Sequence, residues 1–209
     1  MSPPSSARAS APAATGGRRQ ARSQERRRRI FQSLHDCVIA KGYTRTSLGD
    51  VASGAGMSAS HLLYYFRGKD DILEQYFDNV SEKFLARIDA KADAPERDRI
   101  GHLADLWCRG EASSRTEIGF MLECFGAAVH DEVLHVTKTE FDLRCKRYLA
   151  DIFEGSPTCA LEDSRDAAEI AYSMMIGLRS AVYFDHDLTL ATAHRIFRDT
   201  LLQLADLTR

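Results

Sequence analysis

The chain has 209 residues, 44% of them hydrophobic and 28% charged, which is apolar enough to bury a core and charged enough for a water-facing surface. No apolar stretch approaches the roughly 20 residues that cross a bilayer, because the longest, Met174 to Phe184, is broken by Arg179. The net charge of -2 conceals an asymmetry: residues 1–70 hold 12 Lys/Arg against 4 Asp/Glu, while residues 71–209 hold 16 against 26, a basic head on an acidic body. Such a head suits a polyanionic partner.

In chain order, residues 1–23 are mostly Ser, Ala, Pro, Gly and Arg, with almost no large apolar side chains to offset the entropy of ordering. They read as a disordered basic arm and lack the apolar segment of a secretory signal. From Gln24 the pattern turns helical, with Ile30, Phe31, Leu34, Val38 and Ile39 on one face and Gly42 as the stop. Thr46 and Ser47 are N-cap types, and Asp50, three beyond Ser47, makes a capping-box variant. Leu48, Val51, Ala52 and Ala55 mark a short helix that stops at Gly56. Ser58 caps another, which carries Leu62, Leu63 and Phe66 inward until Gly68 breaks it. A long helix from about Lys69 has Ile72, Tyr76, Val80, Phe84 and Ile88 at four-residue steps.

Pro95 resets the chain. Helical spacing then returns around Ile100 to Trp107, Ile118 to Phe125, Leu134 to Ile152, Ala167 to Ala181 and Leu190 to Leu204, with a loop from Gly155 to Thr158. No alternating run marks a strand. The fold class is all-α, with about nine helices. The five cysteines (Cys37, Cys108, Cys124, Cys145 and Cys159) are scattered without a Cys-x-x-Cys pair, so neither a zinc site nor a disulfide framework is indicated. A reducing cytoplasm is the expected compartment.

The chemistry concentrates in Thr46 to Lys69. Two short helices meet at the tight turn Ala55-Gly56-Met57. The small Ala52 lets them cross closely, and Met57 fills the gap, as a helix-turn-helix requires. In that geometry the second helix enters the DNA major groove. Ser58, Ser60 and His61 stand at its base-reading start, and Ala59 suits a thymine methyl. Tyr64 and Tyr65 lie one turn on, where hydroxyls reach phosphate. Thr46 and Ser47 offer hydroxyls and N–H groups at a helix start, and Lys69 adds a charge at the next.

The segments Thr46-Ser47, Val51-Ala52, Ala55-Gly56-Met57-Ser58, Leu62-Leu63-Tyr64-Tyr65-Phe66 and Lys69-Asp70-Asp71-Ile72-Leu73 resemble the DNA-binding domain of TetR/AcrR-family repressors over about residues 26–77. Leu63 stands where the family has its first Tyr, Tyr65 where it has His, and Ser60 where Gly is frequent. The operator sequence therefore does not carry over. After the arm (1–23) that composition marks, the resemblance implies a helix-turn-helix domain (24–68) and a helical effector-binding and dimerisation domain (69–209) joined through the helix from about Lys69. It implies double-stranded operator DNA, a small-molecule effector and a second copy of the chain as partners, and a repressor released by its effector.

Trp107, Phe120, Met121, Leu122, Phe125 and Tyr172 are the residues placed at an effector pocket on that basis. Arg179 interrupts an apolar helix and calls for a partner, for which Glu123, an acidic effector and an interface salt bridge all qualify. Ala171, Met174, Met175, Leu178, Phe197, Leu201 and Leu204, among many small residues and with Leu190, Phe197 and Leu204 seven apart, are the dimer-interface candidates. His130, Asp131 and His135 are too few to hold a metal. No catalytic constellation or cofactor motif stands out. Three rivals remain: a redox-triggered DNA-binding regulator using Cys108, Cys124 or Cys145, an all-α enzyme with a vestigial DNA module, and an activator, which sequence does not separate from a repressor.

Overall fold

The computed structural model describes residues 14–110, 113–156 and 163–207, which form nine helices and no strand. They are α1 (Ala14–Lys41), α2 (Leu48–Gly54), α3 (Ala59–Leu62), α4 (Lys69–Asp89), α5 (Glu96–Cys108), α6 (Arg115–Ala128), α7 (Glu132–Glu154), α8 (Ser164–Phe184) and α9 (Leu190–Leu204). Residues 1–13 of the expected arm, Pro157 and Thr158 of the expected loop, and Cys159 lie outside the described residues.

Helix α1 starts well before Gln24, where apolar periodicity begins. Residues 20–26 are all exposed. Once the buried part has nucleated the helix, extending it costs little per residue, and Ala, Arg and Gln are good helix formers. The helix ends at Gly42, whose φ of 82° is left-handed and whose N–H donates to the Val38 carbonyl at 2.7 Å. The capping box at α2 is complete: the Asp50 N–H donates to Ser47 Oγ at 3.2 Å, and the Ser47 N–H donates to Asp50 Oδ2 at 2.8 Å. Lys41 Nζ, 2.5 Å from the same Asp50 carboxylate, holds its pKa well below the ordinary carboxylate range and ties α1 to α2.

Two apolar clusters result. The head buries Ile30, Leu34, Val51, Leu62, Phe66 and Ile72, and α6 contributes Phe120, Cys124 and Ala128 to the same cluster. The body packs α4, α5, α7, α8 and α9 around Ile100, Trp107, Leu149, Ile152, Met175 and Phe197. Helix α6 is therefore shared, since its Ile118 belongs to the body core. The four-residue ladder on α4 does not all point inward. Ile72 and Ile88 are fully buried, but Val80 is 40% exposed. Four residues turn 400°, so the row drifts about 40° per step around the helix.

The dimer-interface candidates divide. Ala171, Met175, Phe197 and Leu201 are buried inside the protomer and are corrected to core residues, whereas Met174, Leu178 and Leu204 remain partly exposed. The seven-residue spacing on α9 marks a seam against α5, where buried His194 Nε2 lies 2.8 Å from Asp105 Oδ1. The outward stripe of α8 is instead Ile170, Ser173, Gly177 and Phe184.

Candidate nucleic-acid interface and effector cavity

The turn between α2 and α3 is built around Gly56, whose φ is 69°. A Cβ there would lie in the unfavourable left-handed region and 2.7 Å from Arg29 Nη2. That same guanidinium donates to the Ala55 carbonyl at 2.7 Å. The Met57 N–H donates to the Ala52 carbonyl at 3.0 Å, and Ala52 is buried where the two helices cross. Ser58 caps α3 by accepting from the His61 N–H at 3.2 Å. Leu62 and Phe66 anchor the element inward. Ala59, Ser60, His61, Leu63 and Tyr64 then share the solvent-facing side, Tyr64 being 80% exposed.

Several expected roles change. Leu63 is 51% exposed, not inward: adjacent helix positions lie about 100° apart, and Leu62 already occupies the core side. Thr46 is buried and donates its hydroxyl to the Gly42 carbonyl at 2.9 Å, so it shapes the turn and offers no hydroxyl to phosphate. Ser47 stays exposed, although its hydroxyl belongs to the capping box. Lys69 Nζ donates to the Tyr43 carbonyl at 3.0 Å and sits 4.1 Å above the Tyr43 ring, pinning the start of α4 to the turn after α1. Tyr65 is half-buried, and its hydroxyl accepts from Arg26 Nη1 at 2.7 Å. The run Arg26-Arg27-Arg28-Arg29, whose charge suits an affinity role beside the DNA-reading helix, is thus partly structural. Arg27 bonds Gln75 and covers the Phe66 ring, and Arg28 pairs with Glu25 at 3.0 Å. Arg67, which follows α3 in the chain, is 88% exposed at its side chain and lies 3.8 Å from Asp71, a further cation that the motif reading passed over.

Behind the head, α4, α5, α6, α7 and α8 enclose a half-open cavity of about 320 Å³. Trp107, Phe120, Met121, Phe125 and Arg179 line it, together with Tyr76, Phe84 and Phe141, which helical spacing assigned only to packing, and Phe77, which the sequence pattern did not single out. Tyr172 does not reach it. Its buried hydroxyl bonds Asp142 on α7. Arg179 is buried inside the protomer, its guanidinium 4.5 Å over the Trp107 ring, so it is not an interface residue. Burial lowers its pKa to about 10, which leaves it charged at neutral pH. Glu123 is not its partner, because that carboxylate accepts from the Tyr43 N–H at 2.9 Å.

One wall of the cavity is also a wall of the head. Tyr76 meets Phe31 of α1 edge-on at 5.5 Å and Phe120 of α6 at 5.0 Å. His35 of α1 stacks 4.8 Å from Phe120, and its Nε2 lies 3.1 Å from Glu117, itself a cavity residue. The carboxylate lies off the line of a good hydrogen bond, so charge attraction holds the pair. Glu117 is the main cause of a His35 pKa above the ordinary 6.5, with Asp36 adding to it and burial opposing. Because the folded value is raised, the stabilisation is complete below pH 6.5 and is lost as pH rises through the folded value. Urea titrations at pH 6 and pH 8.5 should show wild type losing stability across that interval and Glu117→Gln losing less. Equal pH dependence in the two would show that the pair does not join head to body.

Cys108, Cys124 and Cys145 are buried, and burial raises all three thiols, Cys108 to about 11 and Cys145 to about 12. Protonated and shielded, they lack the thiolate that a redox trigger needs. Asp131 caps α7 by accepting from the Leu134 N–H at 2.9 Å, and no metal-binding group occurs among the described residues. No described helix is long and apolar enough to cross a membrane.

The arrangement has known counterparts. Residues 31–76 match the model of bacterial regulatory proteins of the tetR family, and residues 95–206 match that of the BetI-type transcriptional repressor C-terminal domain. A search of the curated proteins finds no match. Among solved structures, a Rhodococcus sp. Rha1 transcriptional regulator has a TM-score of 0.75 at 17% identity, covering 86% of this chain and 96% of that one. A Saccharomonospora viridis protein solved with choline has a TM-score of 0.75 at 20% identity, covering 85% and 96%. The fatty acid degradation regulator FadR from Bacillus halodurans has a TM-score of 0.73 at 17% identity, covering 85% and 94%. With a family model spanning more than half of its length, the chain belongs to the TetR family of bacterial transcriptional regulators.

Proposed function

We propose that this regulator is a homodimeric repressor that holds operator DNA with α3 and releases it when a small molecule fills the cavity behind the head. The observation that carries this reading is the shared wall: Tyr76, Phe120 and Glu117 border the cavity and also pack against Phe31 and His35 of α1. A ligand pressing on those three residues favours one tilt of head against body. In a dimer, that tilt sets the spacing of the two α3 helices. Half-sites lie roughly 34–36 Å apart, so a small rotation suffices to shift the population away from operator-competent dimers.

At the DNA, Ala59, Ser60 and His61 reach base edges, Tyr64 donates to phosphate, and Ser47, Ser58, Tyr65 and Lys69 hold the surface that presents them. The dimer uses the outward stripe of α8 with Met174, Leu178 and Leu204 beside it. Gly177 supports this, because among the described residues nothing lies within 4 Å of a Cβ placed on it. A mid-helix glycine costs about 1 kcal/mol relative to alanine, and close approach by a partner helix offsets that cost. The test is duplex binding by fluorescence anisotropy at low ionic strength. Tyr64→Ala should weaken binding a few-fold to about tenfold, the range of one neutral hydrogen bond, with unchanged thermal unfolding. His61→Ala should alter which duplex is preferred. Wild-type indifference to duplex DNA would refute the reading.

A further inference from the structure

We infer that Arg22 of α1 is a second DNA contact, a guanidinium that grips operator phosphate beside the reading helix without distinguishing bases. This rests on α3 holding the operator. Composition marks residues 1–23 as an arm, but α1 runs back as helix to Ala14, so its charges keep a fixed register to the head. Positions 22, 26, 29 and 33 follow at steps of four, three and four. At about 100° per residue they lie within about 60° of one another around the helix.

Three of these four side chains already touch the helix-turn-helix. Ser33 Oγ donates to the Val51 carbonyl at 2.8 Å, Arg29 Nη2 to the Ala55 carbonyl at 2.7 Å, and Arg26 Nη1 to the Tyr65 hydroxyl at 2.7 Å. The row thus climbs from α2 past the turn to the segment after α3. Tyr65 in turn packs 5.2 Å from Tyr64 and 5.5 Å from His61, two of the side chains assigned to DNA above. Arg22 is the next position in the row, one helical turn or about 6 Å further on, and it is exposed.

Charge and continuity fix the partner. Residues 14–29 hold seven arginines against one acid, Glu25. That acid pairs at 3.0 Å with Arg28, which stands about 120° around the helix from Arg22. Such a surface draws a polyanion, and the row ends beside the element that meets the duplex. The planar guanidinium matches two phosphate oxygens, and phosphate contacts position a protein without reading sequence. A dimer makes the contact twice.

The experiment measures duplex binding by the full-length protein between about 50 and 200 mM salt, on a preferred duplex and on an unrelated one. Each phosphate contact adds about 0.9 to the slope of log affinity against log salt, so two add about 1.8. Over that interval wild type should therefore lose about tenfold more affinity than Arg22→Gln. Glutamine is a good helix former, and the exposed site leaves folding untouched. Arg22→Gln should weaken both duplexes by the same factor. Arg28→Gln removes one charge from a different face of the same helix and should change the slope by less than half as much. A slope unchanged in Arg22→Gln, or lowered equally in Arg28→Gln, would overturn the inference while α3 stood as the reading helix. A changed ranking of the duplexes in Arg22→Gln would also overturn it, because the arginine would then be reading bases. Wild type binding neither duplex would instead overturn the reading beneath it.

Discussion

Gly177→Arg is expected to yield a folded monomer with operator affinity reduced on the order of 10²- to 10⁴-fold, the gain that joining two binding modules confers. Gly177 sits exposed in the middle of α8, and no atom of the described residues lies within 4 Å of a Cβ built there. Arginine is also a better helix former than glycine, by roughly 0.8–1 kcal/mol. The substitution therefore leaves the protomer intact and acts on whatever approaches from outside, where it places a long charged chain between Ile170 and Phe184. Sedimentation velocity paired with an operator titration reads both consequences. A persistent dimer with unchanged affinity would move the interface away from this stripe.

Phe66→Ala should be the most damaging single change in the head. Phe66 is 1% exposed, packs 5.9 Å from Phe31 and lies under the Arg27 guanidinium. Truncating a fully buried phenylalanine costs about 3–5 kcal/mol, a shift on the order of 10 °C for a chain of this length. The ring fixes the segment after α3 to α1, so DNA binding should fail at temperatures where the body is still folded. Far-ultraviolet circular dichroism for overall unfolding and anisotropy for DNA binding separate the two losses. A shift of under 2 °C with wild-type DNA affinity would show that α3 is held by something other than this anchor.

The head was legible in sequence because its signals are local. Gly42, the Ser47–Asp50 pair, Gly56 and Ser58 each fix a backbone event within four residues of themselves. Where two neighbours competed for one place, local reading failed. Leu62 and Leu63 both looked apolar enough for the core, and only the fold decides which one turns outward. Thr46 and Lys69 carried polar groups suited to phosphate. Their nearest acceptors, however, proved to be the Gly42 and Tyr43 carbonyls, which the chain brings back by turning sharply after α1.

The body was legible as helices but not as a site. Apolar spacing says that Phe197 and Leu201 face something, yet not that the something is α5 of the same chain. Trp107, Phe120, Met121, Phe125 and Arg179 were found by residue type, but their cavity partners Tyr76, Phe77 and Glu117 come from helices whose meeting no periodicity encodes. Tyr172 had the right chemistry on the wrong face of α8. The small residues divide similarly: Ala167, Ala168 and Ala171 let α8 settle into its own protomer, while Ser173 and Gly177 look outward.

Selection of bound duplexes from a random DNA pool by the full-length protein measures most directly whether α3 reads sequence, and does so twice per assembly. The expected winner is a two-fold-related pair of short half-sites about one helical turn apart or a multiple of it, with the preferred bases changed when His61 and Ser60 are replaced by alanine. Enrichment of no sequence, or of one that the Ser60 and His61 substitutions leave untouched, would contradict a reading helix at Ala59–Leu62.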